Sequence, residues 1–251
     1  MSKEFISGTS EAINRSDCQV RYTAADSGKL TVEVASKVAA LYGNAIEEQV
    51  HGTLSGLGIS HGKLRIDDGG ALPFVIGARV EAAVKAAHPD LTAEALPDIQ
   101  EHAVYASARN RFRRSRIYVP GVQPKLMLNV GIHQPDGVIL DLEDSVAPVE
   151  KPSARLIVRN ALRVLDFFGA EHMVRINQGD LGLADLESIV PQPVHLILIP
   201  KVETADQVVA VDEKIAAICH DCGRQEPVYL MPILESALGV LNALEIAQAS
   251  P

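Results

Sequence analysis

Tryptophan is absent from the 251-residue sequence, and with five Phe and five Tyr the aromatics amount to 4%. That scarcity argues against a nucleic-acid stacking surface or an aromatic cage. Positive charge is short as well. The 23 Lys and Arg stand against 32 Asp and Glu, and the net charge of −9 argues against non-specific binding to nucleic acid. No run approaches the roughly 18 apolar residues of a membrane helix, and the opening "MSKEFISGTSEA" lacks the apolar core of a signal peptide. The expectation is a cytoplasmic protein with no membrane and no nucleic-acid partner. Of the three cysteines (Cys18, Cys219, Cys222) not all can pair, and "CHDC" at 219–222 has no second pair or His cluster to complete a zinc site, so it reads as a reduced pair. The eight histidines show no metal spacing with one another and read as structural or surface groups. G-x-G-x-x-G and a Walker loop are missing.

What is present is apolar patterning, with 47% hydrophobic and 22% charged residues in a chain long enough for one large domain or two ordinary ones. "KLTVEV" (29–34) alternates like a half-buried strand. "SKVAALYGNAIEEQVHGTLSGLG" (36–58) reads as a helix with Ser36 as N-cap and Gly58 as stop, and Val38, Leu41, Ile46, Val50 and Leu54 lie near one face. "KLRIDD" follows as a strand, "DDGG" (67–70) as a hairpin turn, and "ALPFVIGARVEAAVKAA" as a last strand merging into a helix. Residues 1–88 thus read as a small α+β domain. Residues 89–112 have mixed polarity and no clean period and read as a linker. "RNRFRRSR" (109–116), with five arginines in eight residues, reads as solvated.

Residues 113–251 read as a third segment. "RIYVP", "GVILDLE", "HMVRIN", "HLILIPKV" and "PVYLMPILE" are apolar strands alternating with helical stretches, as parallel strands covered on both faces would be. An eight-stranded (β/α) barrel needs about 250 residues. Five βα units therefore imply an α/β fold that is either a doubly wound open sheet or a (β/α)8 TIM barrel truncated after about five units.

In either architecture, function gathers beyond the carboxyl ends of the strands. The strand "GVILDLEDSV" ends in Asp141, Glu143 and Asp144, and buried carboxylates are costly unless something cationic meets them. The other strand ends supply Arg175 and Asn177, Lys201 and Glu203, and Glu235. The expectation is a polar ring in which the acids face Arg175 and Lys201. In such a ring an arginine grips a carboxylate substrate, and a carboxylate such as Glu235 holds a hard divalent cation. A chelated 2-keto or 2-hydroxy acid then has its enolate or alkoxide stabilised, which suits carbon–carbon cleavage next to a carbonyl.

Five motifs in order, "RRSRIYVPGVQPK", "VILDLEDSVAPVEK", "VRIN", "IPKVET" and "ILESALGVLNA", resemble the citrate lyase beta subunit and its relatives, the malyl-CoA and citramalyl-CoA lyases of the HpcH/HpaI group. The resemblance implies a Mg²⁺-dependent barrel that cleaves acyl thioesters of hydroxy acids. It implies that Arg175 grips the oxoacid carboxylate, that Glu235 is a Mg²⁺ ligand, and that Arg114 lies near the thioester's phosphopantetheine arm. The family's second Mg²⁺ ligand, an aspartate after the sixth strand, falls beyond this sequence, so the expectation is a fragment or truncated product.

"SGTSEAINRSDCQVRY", "SKVAALYGNAIEEQV" and "RIDDGGALPFVIGARVEAAVKAA" resemble the citrate lyase acyl carrier protein, the gamma subunit. That resemblance implies a covalent 2′-(5″-phosphoribosyl)-3′-dephospho-CoA on a serine, which would make the chain a phosphoprotein. Ser16, directly before Asp17, is the first candidate and Ser10 the second. The combined expectation is a fused carrier–lyase that cleaves (3S)-citryl thioester to oxaloacetate and acetyl thioester with Mg²⁺. An oligomer working with a citrate lyase alpha (acyl transferase) subunit-like partner is implied. The alternatives are a malyl-CoA or citramalyl-CoA type lyase, and a non-catalytic acyl carrier or assembly module.

Overall fold

The computed structural model describes residues 3–8 and 15–250. The chain divides into two compact units. The first runs through Asp98 and takes in Val122–Lys125 and Pro148–Val164, and the second comprises Ile99–Gly121, Leu126–Ala147 and the chain from Leu165.

The first unit holds strands β1 (Glu4–Ser7), β2 (Cys18–Thr23), β3 (Leu30–Ser36) and β4 (Gly62–Asp68), and helices α1 (Ala39–Gly56), α2 (Pro73–Ala87) and α4 (Lys151–Val164). Its sheet runs β1-β2-β4-β3, with β3 parallel to β4 and the other pairs antiparallel. Val20, Tyr22, Leu64 and Ile66 of the sheet close on Ile46, Val50 and Leu54 of α1 and Ile76, Val80 and Val84 of α2. Each large apolar side chain so buried contributes about 1.5–3 kcal/mol. Strands β1 and β2 were not legible in the sequence.

Three local expectations are corrected. Ser36 does not cap α1. It ends β3, where its hydroxyl accepts from Val38 N–H (3.0 Å) and donates to Asp68 (2.6 Å), and the helix begins at Ala39. The "DDGG" stretch is not a hairpin turn, because it leads from β4 into α2. The strand expected at the start of "ALPFVIGARV" is also helix, opened by Pro73 in the first turn, where its missing N–H is harmless. This apolar run packs against both the sheet and α4, so it shows no amphipathic period from which to tell helix from strand.

Two arginines are fully buried in this unit. Arg79 of α2 grips Asp17 through Nε (3.1 Å) and Nη2 (2.8 Å) and donates to Ser153 (2.8 Å), whose hydroxyl shares a hydrogen bond with Ser7. Arg159 of α4 grips Glu81 through two nitrogens (3.0 and 2.7 Å) and also reaches Glu94 (2.8 Å). Burial pushes the Glu81 carboxyl up, but the hydrogen bonds from Arg159 and Lys85 hold it below its usual range.

The second unit alternates strand and helix. Strands β5 (Arg116–Pro120), β6 (Gly137–Asp141), β7 (Glu171–Arg175), β8 (Leu196–Ile199) and β9 (Tyr229–Pro232) form one sheet in sequential order, all parallel. Helices α3 (Pro124–Val130), α5 (Gly179–Ile189), α6 (Ala205–Cys222), α7 (Ala237–Leu241) and α8 (Ala243–Ala247) follow or separate them in sequence. Helix α6 shows how local chemistry sets the bounds. Thr204 and Gln207 form a capping box at its start, and Gly223 at φ 72° ends it. The sheet is strongly curled, because Arg116 on edge strand β5 reaches the Met231 sulfur on edge strand β9 at 3.0 Å across three intervening strands. Flat strands about 4.8 Å apart could not meet this way. The mixed α/β architecture with a curled parallel sheet accords with a TIM-barrel-like fold.

Residues 99–113 lie across the N-terminal end of that sheet, most of them exposed, with Tyr105, Ser107, Arg111 and Arg113 partly buried against it. Arg113 pairs with the fully buried Glu171 through Nε (2.5 Å) and Nη2 (2.7 Å), Ser107 donates to the same carboxylate, and Arg111 binds the carbonyls of Asp136 and Gly169. The Tyr105 hydroxyl sits 2.6 Å from His172 Nε2, and His195 Nε2 is 2.7 Å from the Tyr105 carbonyl. The two imidazoles lie with centroids 4.7 Å apart. Burial holds both in the neutral form, His172 down to about 3.

Candidate active site

The strand register builds the polar ring. Asp141 on β6 is the direct partner of Arg175 on β7, and the row continues to Leu198 and Met231. One row lower, Tyr118, Ile139, Met173, Leu196 and Tyr229 pair in sequence. Paired residues of adjacent strands share a face, and side chains two apart along a strand do too. The apolar row therefore forms a floor, and Ile139, Met173, Leu196 and Leu198 are buried there as one cluster. The Arg175 guanidinium stands over the Tyr118 ring at 5.0 Å.

The acids at the end of β6 meet Arg175 and Lys201, as the sequence led us to expect. Arg175 donates to Asp141 through Nε (2.6 Å) and Nη2 (2.7 Å), and its Nη1 lies 3.3 Å from Glu143 and 3.8 Å from Asp144. Lys201 Nζ binds Glu143 (2.8 Å) and Asp144 (3.1 Å). Gln178 donates to Glu143 at 2.9 Å, and Ser145 donates to Asp141. Burial pushes the Asp141 carboxyl up, but the Arg175 and Ser145 hydrogen bonds outweigh it and keep the group below the usual carboxylate range. The hydrogen bonds that Arg175 donates to Asp141 hold it still more firmly protonated than usual. The clamp fixes one edge of the guanidinium, Nε and Nη2, which leaves Nη1 as the edge turned toward Glu143 and Asp144.

Glu235 follows β9 on an exposed loop, where its carboxylate accepts from Lys201 N–H at 3.2 Å. Lys201 has φ 50°, an unusual conformation for a residue with a side chain, and its backbone and side chain thereby link Glu235 to Glu143 and Asp144. Asn177 has a different part. It binds Asp185 of α5 through both its backbone N–H (2.9 Å) and its side chain (2.7 Å), so it fixes the turn after Arg175. Glu203 takes part in the start of α6, its N–H donating to Gln207.

Arg114 does not join this constellation. It precedes β5, at the opposite end of the strands from Arg175, and its guanidinium packs 4.2 Å from the Phe112 ring centroid. Ser16 lies in the first unit on the turn before β2 at φ 70°. Ser10 lies outside the described residues. Ser145, Gln178 and Tyr118 complete the ring and were not singled out from sequence. Tyr118 had a usable signal, its alternate position in "RIYVP". Gln178 had only its place directly after "VRIN".

Among the described residues no three His, Cys, Asp or Glu side chains converge as a metal site. Asp141, Glu143 and Asp144 are tied to cations, whereas the Glu235 carboxylate accepts one backbone hydrogen bond. A Mg²⁺ ion that keeps waters and chelates substrate is held by one or two carboxylates. Glu235 thus fits as one ligand of such a set.

The curled parallel sheet with charge at its carboxyl ends is the arrangement in which α/β folds build sites from strand-end loops. Residues 114–251 match the model of the HpcH/HpaI aldolase/citrate lyase family, and the chain belongs to that family. Residues 2–87 match an acyl-carrier-type model, described as malonate decarboxylase delta subunit. The citrate lyase subunit beta of Haemophilus influenzae is 39% identical over 143 residues, covering 56% of this chain and 49% of the relative. An L-malyl-CoA/beta-methylmalyl-CoA lyase of Cereibacter sphaeroides is 40% identical over 146 residues, covering 56% of this chain and 46% of the relative. The chain spans about half the length of these curated relatives. The citrate lyase beta subunit from M. tuberculosis, solved with oxaloacetate and magnesium, is 30% identical with a TM-score of 0.42, covering 55% of each chain. No helix among the described residues is long and apolar enough to cross a membrane.

Proposed function

We propose that the chain is a carrier–lyase fusion that cleaves a hydroxy-acyl thioester, first of all a citryl thioester, to an oxoacid and acetyl thioester. The observation that carries the reading is the clamped Arg175, held by Asp141 on one edge and presented over an apolar floor in an HpcH/HpaI chain. In this reading Arg175 binds the oxoacid carboxylate through its Nη1 side. Lys201 keeps Glu143 and Asp144 from repelling that anion. Glu235 is the ligand for Mg²⁺, which when bound stabilises charge developing on the substrate's oxygens. Arg114, at the far end of the strands, has no part in the step. Domain bounds of 1–88 for the carrier, 89–112 for the connection and 113–251 for a partial (β/α)8 barrel belong to the same reading. So do an acyl-transferase partner and the phosphoribosyl-dephospho-CoA arm. Ser16 fits as its anchor because its hydroxyl makes no hydrogen bond among the described residues.

The test is oxaloacetate release from citryl thioester with and without Mg²⁺, on the wild type and on Arg175→Lys. The reading expects Mg²⁺-dependent release, cut at least about a hundredfold by Arg175→Lys, because an ammonium cannot reproduce the bidentate clamp. Undiminished turnover in Arg175→Lys would sink the role given to Arg175. The similarity to L-malyl-CoA/beta-methylmalyl-CoA lyases supports a second reading, a lyase for free CoA thioesters. Glyoxylate release from malyl-CoA, faster than oxaloacetate release from a carrier-bound citryl group, would favour it.

A further inference from the structure

The candidate anchor lies beside an apolar groove that the lyase reading leaves unused. Ser16 N–H donates to the Gly69 carbonyl at 3.4 Å, and Gly69 N–H donates to the Asp17 carbonyl at 2.9 Å. Ser16 and Gly69 are therefore neighbours across the end of the β2–β4 ladder. The Asp17 side chain beneath the turn is clamped by the buried Arg79, so the anchor sits on a fixed base. From Gly69 the chain passes directly into Gly70–Pro73, which with the first turns of α1 encloses a groove of about 370 Å³. Ile46 and Ile76 form its buried floor, Leu72 and Pro73 one wall, and Tyr42, 57% exposed, its rim. Gln49 is the polar side chain that lines it, and neither Lys nor Arg does.

We propose that this groove is the docking cradle for the flat purine of a nucleotide-linked arm carried on Ser16. The proposal rests on the reading of Ser16 as the attachment point. In a 2′-(5″-phosphoribosyl)-3′-dephospho-CoA arm, the serine bears the phosphoribose and the adenosine comes next, joined through its 2′ oxygen. The purine is then the first large apolar body along the arm, and the groove opens one residue from the serine's cross-strand neighbour. The volume suits a bicyclic base. Tyr42 offers a ring to stack on, and the Gln49 amide can both donate to and accept from the base edge. A groove without a cation has nothing for the diphosphate, so the diphosphate and pantetheine stay outside. The base would act as a second, non-covalent pivot, and the acyl end would sweep a smaller volume at higher effective concentration.

Two measurements test this separately from the anchor. Intact mass and peptide mapping of protein from its own host test the anchor, with the increment expected on the Ser16 peptide and lost in Ser16→Ala. Titration of the ¹⁵N-labelled full chain carrying Ser16→Ala tests the groove with AMP, 3′-dephospho-CoA and pantetheine as probes. AMP and dephospho-CoA are expected to shift the amide signals of Tyr42, Gly70 and Ala71, and Tyr42→Ala to weaken both by about tenfold. Gln49→Leu, which leaves the ring in place, is expected to weaken them less. Pantetheine alone shifting these signals while AMP does not would overturn the assignment in favour of the arm's chain. Silence with all three at millimolar concentration would overturn the groove and leave the anchor standing. The arm found on another serine would overturn both.

Discussion

Acid should destabilise this chain through His172 and His195 before it touches Asp141 and Glu81. Both rings are nearly inaccessible, at 1% and 5% exposure, and burial favours their neutral forms. His172 Nδ1 faces the Pro193 carbonyl at 2.6 Å and therefore carries the proton, while its Nε2 faces the Tyr105 hydroxyl. His195 Nε2 faces the Tyr105 carbonyl and carries the proton, so its Nδ1 accepts from His172 N–H at 2.9 Å. A second proton on His195 would set two N–H groups against each other. Burial, with the neighbouring His195, lowers His172 from 6.5 to about 3. The native state thus binds the proton more weakly than the unfolded chain. The stabilisation is fully present above pH 6.5 and is lost as pH falls toward 3. The slope is about 1.4 kcal/mol per pH unit for one proton. Between pH 6.5 and 4.5 that is about 3 kcal/mol for His172 alone, against a total stability of about 5–15 kcal/mol, and His195, lowered by burial as well, acts in the same direction. Asp141 and Glu81, held below their usual ranges, titrate beneath this window. Urea melts by circular dichroism at half-unit steps from pH 7.5 to 4.5 measure it. The His172→Gln variant is expected to be less stable at pH 7.5 but to lose about one proton's worth of slope. A wild-type stability flat across the window, or an unchanged slope in His172→Gln, would refute the reasoning.

Other perturbations have definite expected outcomes. Arg159→Met leaves Glu81 buried with Lys85 as its remaining cation and should cost about 3–5 kcal/mol, whereas Arg159→Met with Glu81→Leu should recover much of it; equal melts for the single and double variants would count against a buried charge as the cause. A Cβ at Gly182 would run into the Asn177 carbonyl oxygen. Gly182→Ala should therefore cost about 1–3 kcal/mol and disturb the turn after Arg175, read as a lowered urea midpoint. Glu235→Gln should weaken Mn²⁺ binding, followed by electron paramagnetic resonance of the free ion, by at least about tenfold while leaving the urea midpoint unchanged, since Glu235 is exposed; unchanged binding would remove Glu235 from the metal set.

Much of the second unit was legible because parallel strands buried on both faces are continuous apolar runs, and their charged ends stand out. "VILDLED", "VRIN" and "IPKV" announced Asp141, Arg175 and Lys201 in this way. The sequence also carried the family, since five ordered motifs constrain more than composition does. Tertiary structure alone decided which charges meet. The bidentate Asp141–Arg175 pair exists because β6 and β7 pair in that register, 34 residues apart in sequence. Lys201 links Glu235 to Glu143 because its backbone takes a left-handed turn that no local motif announced. The start of helix α2 looked like a strand because helical period vanishes when a helix is buried on two sides, and its second covering, α4, comes from more than sixty residues further along. Residues 109–116 read as solvated, and most of them are exposed, but Arg111 and Arg113 are partly buried. The partners of these two side chains, the buried Glu171 and the carbonyls of Asp136 and Gly169, lie outside the segment, so their docking was set by distant sequence.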